Sequence, residues 1–304
     1  MVDIPASLVS ELRQRTGAGM MDCKRALVEA GGDMEAAVDQ LRTAGLAKAA
    51  KKAGREASEG LVCIHKADDR HGAMIVLNCE TDFVALGEQF GALASKLAVF
   101  FATAGLPAQC LGAPTKQEHM EELKKMQLEG GQTVDDALTD AVAKLGENIQ
   151  IGSAVVERSE NELDYLQDYL HLNKVGVLVC LTTGKAQTQA SEGFQAAVKD
   201  IAMQIAAAMP QAPQAVDREG LDPEVAEREK AILMEQAKES GKPPEIVEKI
   251  VAGRLNKFYA EVCLLEQPFI KDDKKQVKDM LREVERDIGD TITIARFHRF
   301  ELGA

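Results

Sequence analysis

The chain has 304 residues, 45% hydrophobic and 28% charged, which is ordinary for a soluble globular protein long enough for two or more domains. Its formal net charge of −13 excludes a general nucleic-acid-binding surface, because phosphate recognition needs a basic field; Lys48, Lys51, Lys52 and Arg55 form only a local basic patch. Trp is absent and aromatic residues are 4% of the chain, while Ala, Leu and Lys/Glu patterns dominate, a mixture that favours helices.

Ser7–Arg15 carries Leu8, Val9 and Leu12 at helical spacing, and Thr16-Gly17-Ala18-Gly19 ends that helix. A second helix is predicted over Met20–Ala30, stopped by Gly31-Gly32. Asp33 caps a third, with Glu35 in its first turn, Val38 and Leu41 on its apolar side, and Gly45 as its close. Together they predict a small three-helix bundle with an exposed step at Met20 and Met21. Ala47–Glu59, basic and Ala-rich, predicts a connecting helix.

Leu61–His65 and Ala73–Leu77 read as strands joined by the turn Asp68–Gly72, a β-hairpin pattern. At the end of the second strand stands Asn78-Cys79-Glu80-Thr81-Asp82-Phe83-Val84-Ala85, followed by a helical pattern over Leu86–Phe101. Thr81 and Asp82 therefore lie at a strand-to-helix turn, where either residue type can cap. Two readings of Phe83 stay open here: a core aromatic behind a capped helix, or an Asp–Phe wedge presented to a partner.

Helical segments follow over Lys116–Leu128 and Thr133–Leu145. Ile149–Val156, Tyr165–Leu172 and Val175–Leu181 predict a second strand set, completed by a helix over Phe194–Met209. In that helix Ile201-Ala202-Met203-Gln204-Ile205-Ala206 matches Leu97-Ala98-Val99-Phe100-Phe101-Ala102, so strand–strand–helix occurs twice, with Pro107 and Pro210 after the two helices. Gln211–Asp222 reads as a connection. Pro223–Lys238 and Pro243–Tyr259 then predict a helical hairpin turned at Glu239-Ser240-Gly241-Lys242, with Val247, Ile250, Val251, Leu255 and Phe258 on one stripe suited to an antiparallel coiled coil. A helix over Lys274–Arg286 and a strand over Thr291–Phe300, returning to the second sheet, end the chain.

The expected organisation is α+β. It comprises a bundle over residues 1–45, a connecting helix over 46–60, a first core subdomain over 61–146, a second over 147–221 and 260–304, and the hairpin over 222–259.

Catalytic patterns are missing: there is no P-loop, G-x-G-x-x-G, nucleophile elbow or H-E-x-x-H. His65, His71, His119, His171 and His298 are scattered, and His171 between Leu170 and Leu172 reads as a strand or surface residue. Asp68-Asp69 reads as a turn and not a metal site. Cys23, Cys63, Cys79, Cys110, Cys180 and Cys263 show no C-x-x-C pair, consistent with reduced thiols. No apolar run reaches the roughly 18–20 residues that span a bilayer, and Asp3 and Pro5 before an amphipathic helix do not resemble a secretory signal. The expectation is a cytoplasmic protein with no membrane contact, no direct nucleic-acid contact, no cofactor and no resident metal, which works through surfaces and not by covalent chemistry.

Several blocks resemble the elongation factor Ts family. They are Thr16–Lys24 with Ala26-Leu27, Ala47–Ala53, Asn78–Ala85, Gly146-Glu147-Asn148-Ile149, Val175–Val179, Asp200–Ala207, Ser240–Arg254 and Gln267-Pro268-Phe269. They run in order through nearly the whole chain, and the first and third are highly specific. The resemblance implies a guanine-nucleotide exchange factor that binds elongation factor Tu, GDP-bound and nucleotide-free, in translation elongation. It also implies a bundle resembling ubiquitin-associated domains, a two-subdomain core and a coiled-coil insertion. Carried over by motif, disturbance of the partner's Mg²⁺ site falls on Asp82 and Phe83, flanked by Thr81 and Val84. Further partner contacts fall on Met20, Met21, Ile149 and His171, and a homodimer is a candidate assembly. Only Glu301–Ala304 follow Phe300, so the helical tail of many family members is expected to be absent here.

Two rival readings explain less. A binder of ubiquitin-like proteins would use the bundle alone and leave the rest of the chain without a role. A metabolic enzyme would need a convergent polar cluster, which the sequence does not offer.

Overall fold

The computed structural model describes residues 4–104, 117–238 and 243–303. They fall into two compact units: residues up to His65 with Ala73–Val156 and the C-terminal residues from Phe300, and Lys66–Gly72 with Glu157–Arg299.

The first unit opens with α1 (Ala6–Thr16), α2 (Met20–Glu29) and α3 (Met34–Lys52). Gly17 takes the left-handed conformation at φ 65° that closes α1, and the Asp33 carboxylate accepts the Ala36 N–H at the start of α3. Val9, Leu12, Cys23, Ala26, Leu27 and Ala37 form the bundle's own core.

Gly45 does not end α3, which continues seven residues further to Lys52. The reason is a helix crossing with α7 (Val134–Leu145): a Cβ on Gly45 would stand 3.4 Å from the Ala143 Cβ. Arg42 pairs with Asp136 at 3.0 Å, and the Lys52 ammonium donates to the Gly146 carbonyl. Tertiary contact thus overrides the roughly 1 kcal/mol that glycine costs inside a helix. Of the segment predicted as a separate connecting helix, residues 47–52 are the end of α3, whereas residues 53–58 are not helical and Glu59 already begins a strand.

β1 (Glu59–Lys66) and β2 (His71–Cys79) are joined by a turn in which Asp68 Oδ1 accepts the N–H groups of Arg70 at 2.7 Å and His71 at 2.9 Å. β3 (Gln150–Arg158) completes this sheet in the order β1-β2-β3. Ile149–Val156, predicted to open the second strand set, thus belongs with the first. Its alternation is equally compatible with either sheet, and only pairing decides. A short helix α4 (Asp82–Ala85) precedes α5 (Glu88–Thr103), whose Phe90, Ala94, Leu97, Ala98 and Phe101 are buried in one core with Ile75, Leu77 and Val156. α6 (Gln117–Lys125) and α7 add Leu123, Val134 and Leu138 to that core, and Thr133 with Asp136 forms a capping box on α7. Pro107 and Cys110 lie outside the described residues.

The second unit carries β4 (Asp164–His171) and β5 (Val175–Thr183), antiparallel with Tyr165 opposite Leu181 and His171 opposite Val175. β8 (Ile292–Glu301) returns beside β5, as predicted, in the order β4-β5-β8. α8 (Glu192–Ala207) and α11 (Val277–Ile288) enclose the core, where Phe194 meets Tyr165 edge-on at 5.1 Å. Ile201, Ala202 and Ile205 are fully buried, as are Leu97, Ala98 and Phe101 of the first unit, so the repeated helix motif marks the same inward stripe twice. The strand predicted to run to Leu172 ends at His171, because Leu172 and Asn173 enter the left-handed region at φ 52° and 56°.

α9 (Pro223–Lys238) and α10 (Pro244–Val262) form the helical hairpin, with Leu233, Ala237, Val247 and Val251 buried together. At its base Phe258 and Tyr259 pack on Ala215, Leu221, Val262 and Cys263, and Arg218 lies over the Tyr259 ring at 4.4 Å. The predicted turn at Glu239–Lys242, with Gly241, lies outside the described residues. The sequence reading missed the small hairpin of β6 (Pro268–Phe269) and β7 (Asp272–Gln276): Asp272-Asp273-Lys274-Lys275 lacks the β-branched residues that signal a strand. Among the described residues no helix is long and apolar enough to cross a membrane.

Candidate functional site

The end of β2 and the two turns of chain after it form the candidate site. Cys79 is buried as the last residue of the strand, and Thr81, in extended backbone conformation, caps α4. Every polar atom of Thr81 is bonded. Its N–H donates to Glu147 Oε2 at 3.0 Å and its hydroxyl to Glu147 Oε1 at 2.6 Å. The hydroxyl oxygen accepts the Val84 N–H at 3.4 Å. Its carbonyl accepts the Ala85 N–H at 3.2 Å and the Cys79 thiol at 3.1 Å. Burial, reinforced by the nearby Glu147 carboxylate, pushes the Cys79 thiol up to about 11, so it stays a protonated donor at neutral pH.

A second set of bonds runs the other way. Glu80 Oε1 accepts the Asn148 N–H at 2.6 Å, the Asn148 side chain donates to the Arg55 carbonyl at 2.7 Å, and Glu147 Oε2 accepts the Glu80 N–H at 3.1 Å. The Asn148 N–H, with help from Arg55, holds the Glu80 carboxyl below its usual range. Two loops, 80–81 and 147–148, thus grip each other through exchanged carboxylates.

The side chains that leave this clasp divide by direction. Val84 is half-buried against the core. Asp82 is exposed, and its carboxylate has no hydrogen bond or ion pair among the described residues. Phe83 is 84% exposed, which rules out the core reading of this aromatic. Leu86, where the predicted helical pattern begins, is 85% exposed and stands three residues from Phe83, on the same side of a helical turn. An exposed Phe and Leu so close together form an apolar projection that folding leaves uncovered.

The other predicted contact residues are dispersed. Met20 and Met21, 55% and 75% exposed, open the first turn of α2. Behind them Asp22 takes Lys48 at 2.8 Å and also pairs with Arg25, and these bonds, Lys48 first, keep its carboxyl low. Ile149 is buried in the core of the first unit at 4% exposure, so its side chain is not a surface contact. It fills the core next to the Glu147–Asn148 loop. His171 is exposed at the end of β4 in the second unit and stacks on Tyr169, with ring centroids 6.3 Å apart, beside the exposed Leu172.

Sequence reasoning missed Leu86 and the roles of Glu80, Glu147 and Asn148. Gly146-Glu147-Asn148 was legible as a motif, but its bonds join positions 66 to 93 residues apart. Among the described residues no three His, Cys, Asp or Glu side chains gather as a metal ligand set.

The family described as Elongation factor TS matches residues 80–304. The chain is similar to elongation factor Ts of Desulfovibrio desulfuricans, 45% identical over the whole of both chains. It is also similar to elongation factor Ts of Aquifex aeolicus, 47% identical over 97% of this chain and 96% of that protein. The same protein of Clostridium perfringens is 43% identical over 99% of this chain and 93% of its own.

Proposed function

The chain belongs to the elongation factor Ts family, and from that premise we propose that it is a guanine-nucleotide exchange factor for elongation factor Tu whose working edge is the Asp82–Phe83 corner. The observation that carries this reading is the contrast within one turn: a backbone bonded at every polar atom of Thr81 holds out a phenylalanine that is 84% exposed.

Exchange requires that the factor bind the empty partner more tightly than the loaded one; by linkage it then weakens nucleotide binding by the same ratio. An aromatic wedge suits this task. Burial of Phe83 in a cleft available only in the open partner contributes roughly 2–3 kcal/mol to that state alone. Because the turn is already ordered, little of that energy is lost to fixing its conformation. Asp82, uncompensated and exposed, brings a carboxylate toward the partner's Mg²⁺–phosphate site, where the ion tolerates little departure from octahedral coordination. No bond is made or broken, so no catalytic group is needed.

Met20 and Met21 supply an adaptable apolar surface on the bundle, and His171 with Leu172 supplies one on the second unit. Ile149 acts only from the core, by supporting the loop that holds Thr81.

The test is release of fluorescent GDP from elongation factor Tu with and without the protein. Marked acceleration is the expected result, and release at the spontaneous rate with saturating protein would remove the function.

A further inference from the structure

The clasp behind the corner is built more heavily than a helix cap needs. A capping threonine needs one bond, from its side-chain oxygen to a backbone N–H of the first turn. Here the Glu147 carboxylate takes three donors at once: the Thr81 hydroxyl, the Thr81 N–H and the Glu80 N–H. A hydroxyl has one proton and two lone pairs. By taking the proton, Glu147 turns the lone pairs of Thr81 Oγ1 toward the Val84 N–H and so sets the direction in which α4 leaves the strand. Phe83 lies between those two bonded positions. The direction of its Cα–Cβ bond is therefore controlled from a residue 64 positions away in sequence, on the loop that follows α7.

We propose that Glu147 is a positioning residue for exchange: it holds the Thr81 turn in the one conformation that presents Phe83, without itself touching the partner. The proposal rests on the reading of Phe83 as the exchange wedge and names the residue that makes the wedge rigid. The chemistry restricts what can replace it. Glutamine is isosteric, but its one amide oxygen can replace only Oε2, which takes both backbone N–H groups; the NH₂ then faces the Thr81 hydroxyl, which loses the acceptor of its proton and is no longer held with its lone pairs toward Val84. The turn then loses its single orientation, and Phe83 samples directions that do not fit the partner cleft.

The experiment compares Glu147→Gln, Phe83→Ala and the double variant of the full chain, measuring fluorescent GDP release from elongation factor Tu together with thermal melting. Glu147→Gln is expected to slow accelerated release about tenfold, the scale of one or two lost charge-assisted hydrogen bonds. In the Phe83→Ala background the same substitution should slow release no further, because its effect passes through Phe83; a residue that only stabilised the fold would keep its effect there. Thr81→Val, isosteric and lacking both hydroxyl bonds, should reproduce the loss and covers the case of a poorly folded Glu147→Gln. Normal release by folded Glu147→Gln beside an impaired Phe83→Ala would overturn this proposal alone. Effects that multiply in the double variant would do the same. Unchanged release by Phe83→Ala would overturn the wedge reading and this proposal with it.

Discussion

Gly45 and Ala143 mark the point where the last helix of the N-terminal bundle crosses α7: a β-carbon on the glycine would stand 3.4 Å from that of the alanine, in van der Waals contact. The bundle is therefore docked along α3 and is not hung from a free connector. Gly45→Ala is expected to be neutral, or stabilising by up to about 1 kcal/mol, because alanine is the better helix former and its methyl just fits. Gly45→Leu is expected to cost about 1–3 kcal/mol by overpacking the crossing. Urea unfolding of the two variants checks both signs, and equal stability of alanine and leucine would contradict the crossing.

Phe83→Ala and Leu86→Ser are expected to leave stability within about 0.5 kcal/mol of the unchanged protein, since neither side chain is buried. A core phenylalanine would instead cost about 3–5 kcal/mol. Both substitutions should slow GDP release from elongation factor Tu, Phe83→Ala more strongly because the ring buries the larger area. Melting and release measured on the same samples separate the two effects.

Acid should weaken the second unit through Glu157. That carboxylate is buried, which by itself would raise its pKa. Hydrogen bonds from His298 Nε2 at 2.5 Å and Arg296 Nε at 2.9 Å more than offset the burial and bring it to about 2, from an ordinary value of 4.5. A folded pKa below the unfolded one means that the native state holds fewer protons. The stabilisation, about 3 kcal/mol, is thus present above roughly pH 4.5 and is lost as the pH falls toward 2. Glu157→Gln is expected to flatten the acid limb of stability in urea titrations between pH 5 and pH 2.5, an interval chosen to cover that loss. An acid limb as steep as before would show that other carboxylates govern it.

The helical hairpin closes its apolar face on itself, Leu233 and Ala237 against Val247 and Val251, while Phe258 and Tyr259 belong to its base. Replacing residues 227–255 by a short Gly/Ser linker keeps that base, and the remaining chain is expected to fold and still accelerate GDP release. A folded but inactive deletion protein would make the hairpin part of the exchange mechanism.

By itself the sequence determined what is local. Gly17, Asp33 and Thr81 announce helix ends and caps because capping is a contact within a few residues. The burial stripes Leu97–Phe101 and Ile201–Ile205 follow from helical periodicity, and the place of the Thr81–Phe83 turn follows from the strand that ends before it. Only the tertiary structure decided that Gly45 is crossed by α7, that β3 pairs in the first sheet, that Ile149 faces inward and that Phe83 faces out. Each of these depends on a partner distant along the chain, as the bonds between Thr81 and Glu147 do across 66 residues. A cap needs only its neighbours to be recognisable; the direction of the side chain beyond it is set by whatever residue folding brings to the other side.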